Sequence, residues 1–240
     1  MDQERWMRII PIAIVMYTVA FINRTSISMA LPSIMHDFHI TQTQGGSIAG
    51  IFFWGYLILQ IPGGYLAEHW SAKKFVAILL VIWGACAIAG GLVHTWRELW
   101  LTRLLLGVAE GGVWPATLIF LSHWFPRKER ARANAFFSLC LPFAVIISSP
   151  LSGWILDRWN WRVMLVAGGV VPFIWVVIWL IFIDDHPREA KWISTEERGF
   201  LETTLKQESI QGEPSKAKVS VRTVLRPEIL IFMAIYFCFI

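Results

Sequence analysis

Charged residues are scarce in this 240-residue sequence. Asp, Glu, Lys and Arg together make up 16% of it, against about a quarter in soluble domains. Hydrophobic residues make up 56%, and the mean hydropathy is +0.55. So few charges cannot cover a water-exposed surface, which excludes an ordinary soluble domain. In such a chain the placement of Lys and Arg in particular loops reflects membrane topology. The positive net charge therefore predicts no nucleic-acid partner.

Cysteine is equally rare, with three residues that form no CxxC pair and no His-linked spacing. The sequence therefore predicts neither a disulfide framework nor a metal site. It also shows no HExxH, GxSxG or phosphate-binding-loop pattern and no paired-carboxylate catalytic arrangement. We expect no enzyme activity and no cofactor.

Long apolar runs are what the sequence has instead. About 20 apolar residues of helix cross a hydrocarbon core about 30 Å thick with every backbone hydrogen bond satisfied. Six runs are long enough, and we name them spans 1 to 6 in chain order. We predict them at Ile9–Leu31, Ser47–Leu66, Phe75–Val93, Leu99–Phe125, Ala133–Leu156 and Val163–Ile183. The predicted fold class is an all-α membrane protein built on a six-helix bundle.

The composition divides the chain into three parts. Residues 1–183 hold the six-helix transmembrane bundle, and residues 184–227 are charged and polar, which is typical of a cytoplasmic linker. Within the linker, Trp192-Ile-Ser194 is predicted to precede a capped amphipathic helix. Residues 228–240 are apolar again but too few to cross a bilayer, so we predict a truncated seventh helix. The expectation is an N-terminal half that lacks its C-terminal six-helix bundle.

The distribution of Lys and Arg predicts the orientation. With the N-terminus inside, sixteen of the 21 basic residues lie in cytoplasmic segments and three in the opposite loops. This asymmetry follows the positive-inside rule, so we predict cytoplasmic termini in an inner or plasma membrane. The two remaining basic residues, Arg24 and Arg103, lie inside spans.

An internal repeat follows spans 2 and 5. The shared pattern is Gly, an acid at +4, Trp at +6 and Lys or Arg at +9. It occurs as Gly64, Glu68, Trp70 and Lys73 and, 89 positions later, as Gly153, Asp157, Trp159 and Arg162. Three helices separate the two copies, as expected for the inverted 3+3 repeats of transporters. Chance similarity between two loop starts is the alternative.

Span 4 carries a polar stripe. Its members are spaced 4, 3, 4 and 3 residues apart, which places them on one face of a helix. They are Arg103, Gly107, Glu110, Trp114 and Thr117. An ionised group at the bilayer centre costs about 2.5 to 3.5 kcal/mol even on the lenient scale. We therefore expect the stripe to face a water-accessible cavity and not lipid.

Arg24 and Glu110 both lie near mid-membrane, at the depth of a transporter's binding site. Arg24 suits a carboxylate anion because its guanidinium donates two parallel hydrogen bonds and stays charged. Glu110 suits a proton carrier. The alternative is a permanent ion pair that only joins helices. Arg103, about a turn from the outer end, is expected to snorkel or to join helices. Tyr56 and Gln60 on span 2 either bind ligand or pair across helices.

Several segments resemble the major facilitator superfamily. Gln60–Lys74 resembles its signature between helices 2 and 3. Its anion:cation symporter branch, which includes phthalate, tartrate, glucarate and galactonate permeases, is indicated by four further segments. These are Arg103–Gly112, His123–Arg130, Trp161-Arg162 and the linker residues Asp185-His-Pro, Trp192-Ile-Ser and Glu196-Glu197.

The resemblance implies two six-helix bundles that rock about a central site, with uptake of a small organic anion driven by the proton gradient. It implies that Arg24 and Tyr56 hold the substrate carboxylate and that Glu110 takes part in proton coupling. Our predicted substrate-binding set is Arg24, Tyr56, Glu110, Trp114, Asn23 and Gln60, and our predicted gating set is Gly64, Glu68, Lys73 and Arg103.

The sequence departs from this branch at three places. Asn23 stands where many relatives have Asp, a Gln expected near Leu141-Pro142 is absent, and Glu68, His69 and Ser71 replace Asp, Arg and Gly. Two other functions stay open. One is a drug:proton antiporter of the same superfamily, and the other is a product that does not transport, either a truncated fragment or a membrane sensor.

Overall fold

A computed structural model describes residues 4–211 together with Pro227 and Ile231. Its helices are α1 (Glu4–Phe38), α2 (Gln42–His69), α3 (Ala72–Leu92), α4 (Trp96–Gly111), α5 (Val113–Trp124), α6 (Arg127–Ser138), α7 (Cys140–Arg158), α8 (Trp161–Phe182) and α9 (Thr195–Gln211). Spans 1, 2, 3 and 6 are α1, α2, α3 and α8. Span 4 combines α4 with α5, span 5 combines α6 with α7, and α9 belongs to the linker. The predicted seventh helix and the linker beyond residue 211 lie outside the described residues.

The six spans confirm the predicted all-α membrane bundle. Within the described residues, five spans are long and apolar enough to cross a membrane, and α2 is the sixth if its bent halves count as one. Span 1 is longer than predicted, because α1 runs from Glu4 to Phe38, 35 residues. Side-chain contacts hold both extensions: Arg5 is ion-paired at one end, and Asp37 accepts a 2.7 Å hydrogen bond from Trp161 at the other.

Proline accounts for the breaks within spans 2, 4 and 5. A proline in a helix lacks an N–H and clashes with the carbonyl of the preceding turn. Pro115 lies three residues after the break at Gly112, and Pro142 three after the break at Leu139. α2 bends by 40° at Pro62. The break in span 4 comes two residues after Glu110, so this residue lies where its helix is interrupted.

The repeat is visible in the helix boundaries. The junctions α2–α3 and α7–α8 match residue for residue at the offset of 89. α2 and α7 end at His69 and Arg158, Trp70 and Trp159 are their C-cap residues, and Ser71 and Asn160 cap α3 and α8. Each N-cap side chain accepts the N–H of the residue three positions later.

Helix packing obeys the same symmetry. Span 1 packs against span 5, span 2 against span 4, and span 3 against span 6. Exchanging spans 1–3 with spans 4–6 converts the first pair into the second and leaves the third unchanged. This is what a two-fold relation between two three-helix repeats requires, so the predicted 3+3 repeat is confirmed.

The linker packs against the end of the bundle where α1 begins, which we call the linker end. Arg5 lies 2.8 Å from Glu129 and 3.1 Å from Glu197 of α9. Trp192 stacks on Trp124 with 5.0 Å between ring centroids. α9 begins as predicted, because the Ser194 hydroxyl accepts the N–H of Glu197 at 3.2 Å.

Candidate functional site

Two glycines bring α2 and α4 into backbone contact. A Cβ on Gly107 would lie 2.1 Å from the carbonyl oxygen of Phe52, and one on Gly111 would lie 2.2 Å from that of Tyr56. Small residues four apart allow such close approach in membrane helices. The contact places Phe52 and Tyr56 beside the polar stripe of span 4.

Arg24 and Glu110 form an ion pair inside the bundle. Glu110 Oε2 accepts hydrogen bonds from Arg24 Nη2 at 3.2 Å and from Arg24 Nε at 3.4 Å. The Glu110 side chain is 1% exposed and that of Arg24 is 14% exposed. Both donors point at one carboxylate oxygen, and Glu110 Oε1 is buried without a hydrogen-bond partner in the described part of the chain.

Aromatic rings enclose this pair. The Arg24 guanidinium carbon lies 4.6 Å from the centroid of Tyr56 and 5.2 Å from that of Phe52. Ring faces attract cations at these distances, and more strongly away from water. The Tyr56 hydroxyl lies 3.3 Å from that of Tyr17, whose ring meets Trp114 edge-on at 4.7 Å. The predicted residues Arg24, Tyr56, Glu110 and Trp114 therefore lie in one cluster.

Arg103 belongs to the same buried group. It is 2% exposed, and its guanidinium carbon lies 4.9 Å from the Phe52 centroid, so it joins span 4 to span 2 and does not snorkel outward. Its Nε and Nη1 atoms are buried without hydrogen-bond partners among the described residues. Arg24 and Arg103 both contact Phe52, so their guanidinium carbons are at most about 10 Å apart, the sum of the two distances to that ring.

The charges of this centre do not cancel. Among the residues that the structure describes, it holds two guanidiniums and the carboxylate of Glu110, which leaves one net positive charge inside the bundle. Thr117, also on the stripe, is fully buried. The stripe therefore faces the bundle interior and not lipid, as the sequence predicted, and the water-accessible cavity expected beside it stays a prediction.

Two residues of the predicted substrate-binding set lie elsewhere. Asn23 is 4% exposed and donates a 3.0 Å hydrogen bond to the carbonyl of Gly168 on α8. It faces span 6, away from its neighbour Arg24. Gln60 is partly buried one turn beyond Tyr56, and no side-chain hydrogen bond is described for it.

Three residues of the predicted gating set lie along the path from the centre to the linker end. Lys73 Nζ lies 3.8 Å from Asp184, and the Lys73 N–H donates to Asp185 at 3.1 Å. Glu68 is exposed, and a Cβ on Gly64 would contact Pro115 at 3.6 Å. Lys73 therefore ties the loop between spans 2 and 3 to the start of the linker.

Sequence reasoning missed Tyr17 and Phe52. Tyr17 precedes Arg24 by seven residues, and Phe52 precedes Tyr56 by four, so each lies on the same helix face as the residue that was found. Both spacings can be read from the sequence, so the two residues could have been found before the structure.

The profile of the Major Facilitator Superfamily matches residues 13–240. The chain belongs to the Major Facilitator Superfamily. A relative from Agrobacterium vitis, named provisionally as a tartrate transporter, is 32% identical over 223 residues, covering 90% of this chain and 51% of its own. The hexuronate transporter of Escherichia coli K12 is 30% identical, with 87% of this chain and 48% of its own covered. A quinolone resistance transporter of Acinetobacter baumannii is 27% identical, with 96% and 54% covered.

This superfamily member spans about half the length of the curated relatives it matches. The same holds for the solved structure of the proton:xylose symporter XylE, of which 52% is covered, together with 88% of this chain. That structure superposes with a TM-score of 0.69 at 14% sequence identity, which supports the fold alone. The chain is therefore a multi-pass membrane protein with the fold of a superfamily N-terminal half.

Proposed function

We propose that this chain forms the N-terminal bundle of a secondary transporter for a small carboxylate anion. The observation that carries the proposal is the net positive charge of the Arg24, Arg103 and Glu110 centre. An unbalanced buried cation is costly, and an anionic ligand is what would compensate it. The relatives named for tartrate and hexuronate transport carry carboxylates, which supports the same substrate class.

Arg24 is the proposed anion anchor. It is the most exposed charged member of the centre, and its fork fits a carboxylate through two parallel hydrogen bonds. Tyr56, whose ring contacts the guanidinium, is the proposed second substrate contact. Trp114 is proposed to line the same site, because its ring contacts Tyr17, whose hydroxyl lies beside that of Tyr56. Asn23 and Gln60 have no described contact with this group and are not part of the proposed site.

Glu110 is the proposed proton-linked group. Its carboxylate occupies the Arg24 donors that a substrate carboxylate would need. A proton on Glu110 would weaken that pair and release Arg24 for substrate, so proton and anion would move together as symport. Alternating access would then release both the proton and the anion on the other side of the membrane. The proposed location is an inner or plasma membrane, with the N-terminus in the cytoplasm.

The test is uptake by cells that express the complete reading frame containing this chain. Labelled sugar acids and dicarboxylates should accumulate, and Arg24→Gln should abolish that uptake while the protein still reaches the membrane. Arg8→Gln, at the linker end, is the matched control and should transport normally. Sugar-acid uptake that is unchanged by Arg24→Gln would refute the anchor.

A drug:proton antiporter is the second candidate, favoured by the likeness to the quinolone resistance transporter. A net positive centre repels cationic drugs, so we expect lipophilic cations neither to be exported nor to compete with carboxylates. Export assays with quinolones and lipophilic cations in the same cells distinguish the two functions.

Sequencing the DNA beyond codon 240 tests the non-transporting alternative, because a second in-frame bundle is required for alternating access.

A further inference from the structure

A cleft of about 600 Å³ lies at the linker end, apart from the Arg24–Glu110 centre. The last turn of α5, the first turn of α6, the segment after α8 and helix α9 enclose it. Its charged and titratable lining residues are His123, Arg127, Arg130, His186, Arg188, Glu202 and Glu208. His123 follows Glu110 by 13 residues, about 20 Å along the helix axis. Clefts of this volume are typical of small-molecule sites.

Some of these charges already hold the linker in place. Glu208 of α9 accepts the N–H of Arg127 at 2.8 Å, at the first residue of α6. Its other oxygen lies 3.8 Å from Arg130, which also donates to the carbonyl of Ser122 at 3.2 Å. Arg130 and Glu208 are therefore committed to packing α9 against α6.

The remaining basic groups of the cleft are not committed to packing α9. The Arg127 guanidinium is exposed without a described partner, and Arg188 has only a loose 3.7 Å pair with Glu189 at the surface. The imidazoles of His123 and His186 face each other with 4.6 Å between centroids, and His123 Nδ1 is buried without a hydrogen-bond partner in the described chain. Glu202 is the other carboxylate that lines the cleft among the described residues, and Asp185 and Glu68 also lie near His123.

We propose that this cleft binds a phosphate group, held by Arg127 and Arg188 with His123 and His186 as further donors. Guanidinium forks match phosphate oxygens in pairs. Donors approach from α6 on one side and from the segment after α8 on the other, which suits a tetrahedral anion better than the two oxygens of a carboxylate. The bound group would join these segments beneath α9 and stabilise the docked linker by mass action.

Calorimetric titration of the complete purified chain with inorganic phosphate, in chloride at constant ionic strength, tests the site. We expect saturable binding that weakens about tenfold in Arg127→Gln and in Arg188→Gln, because each loses charge-assisted hydrogen bonds. Lys128→Gln is the matched control, since it removes a neighbouring charge that does not line the cleft. The control should keep the affinity of the parent chain.

Two outcomes would overturn the site: no saturation with phosphate in the tens of millimolar, or equal weakening in all three variants, which would indicate diffuse surface charge. Circular dichroism melts verify folding, and Arg188→Gln, at an exposed position, keeps the test open if Arg127→Gln unfolds. Repeating the titration in nanodiscs identifies the source of the phosphate. Competition by phosphatidylglycerol but not phosphatidylcholine would assign the site to a lipid headgroup, and equal binding in both would assign it to soluble phosphate.

Discussion

Two arginines of α1 have opposite surroundings. Arg24, near mid-membrane, is paired with Glu110, the one carboxylate described in a group that also contains the guanidinium of Arg103. Arg5, at the linker end, lies within 3.1 Å of two carboxylates and also donates to the carbonyl of Trp124. A group with more guanidiniums than carboxylates leaves a place for an anionic ligand, whereas an arginine held by two carboxylates fastens helices together. Burial of a charge alone does not distinguish the two.

Loss of Arg24 should have the largest effect on both stability and uptake. Arg24→Ala leaves Glu110 buried without its partner, a change that costs about 3 to 5 kcal/mol in stability. Uptake of the carboxylate should fall at least about a hundredfold, because the anchor is gone. The double variant Arg24→Ala/Glu110→Ala should recover the unfolding temperature but not uptake. Recovery of uptake in the double variant would show that Arg24 only neutralises Glu110.

Loss of Arg5 should affect stability without affecting substrate binding. Arg5→Met removes the guanidinium that joins the largely buried Glu197 to the half-buried Glu129, and we expect a loss of about 3 kcal/mol on thermal unfolding in detergent. Arg8→Met, less than one turn away, removes one 2.8 Å hydrogen bond to the Phe182 carbonyl and should cost about 1 kcal/mol or less. The apparent KM for substrate should not change in either variant. Equal melting temperatures for the two variants would contradict the assigned role of Arg5.

The contact between α2 and α4 should respond to a single methyl group. Gly111→Ala places a Cβ against the Tyr56 carbonyl and should cost about 2 kcal/mol, since backbone cannot yield as a side chain can. Gly50→Ala, where nothing lies within 4 Å of the added Cβ, should slightly stabilise α2. Melting curves that shift in the same direction for both variants would refute the close contact.

The smallest effect is expected at Asn23. Asn23→Ala leaves the Gly168 carbonyl without its donor and should cost about 1 kcal/mol in stability, with the apparent KM unchanged. Ser26 lies on the same helix as Asn23, and Ser26→Ala removes its 2.9 Å hydrogen bond to Ser152. This variant should show a similar loss of stability, also with the apparent KM unchanged. A tenfold rise in KM confined to Asn23→Ala would show that Asn23 contacts the substrate.

Periodic features of the fold and site could be predicted from the sequence. Apolar run lengths identified the six spans, and the offset of 89 identified the repeat. The 4-3-4-3 spacing on span 4 identified the face that carries Glu110. Each of these depends on spacing within one helix or between copies of one pattern, which the sequence records directly.

Features that depend on packing between distant segments could not be predicted. Asn23 was grouped with Arg24 because they are adjacent, yet consecutive helical residues point about 100° apart, so Asn23 meets α8. Arg5 counted only as a topology signal, because its burial depends on Glu197, 192 positions away. For Arg103 the sequence left open whether it snorkels or joins helices, and the ring of Phe52 on another helix keeps it inside.

The central claim is that Glu110 links proton movement to the Arg24 anion site. Glu110→Gln keeps the shape of the side chain and removes its charge, so proteoliposomes of the complete transporter can separate binding from coupling. We predict that the variant still exchanges external labelled carboxylate for internal unlabelled carboxylate but no longer accumulates it when a pH gradient is imposed. Accumulation that follows the pH gradient as in the parent protein would contradict the account.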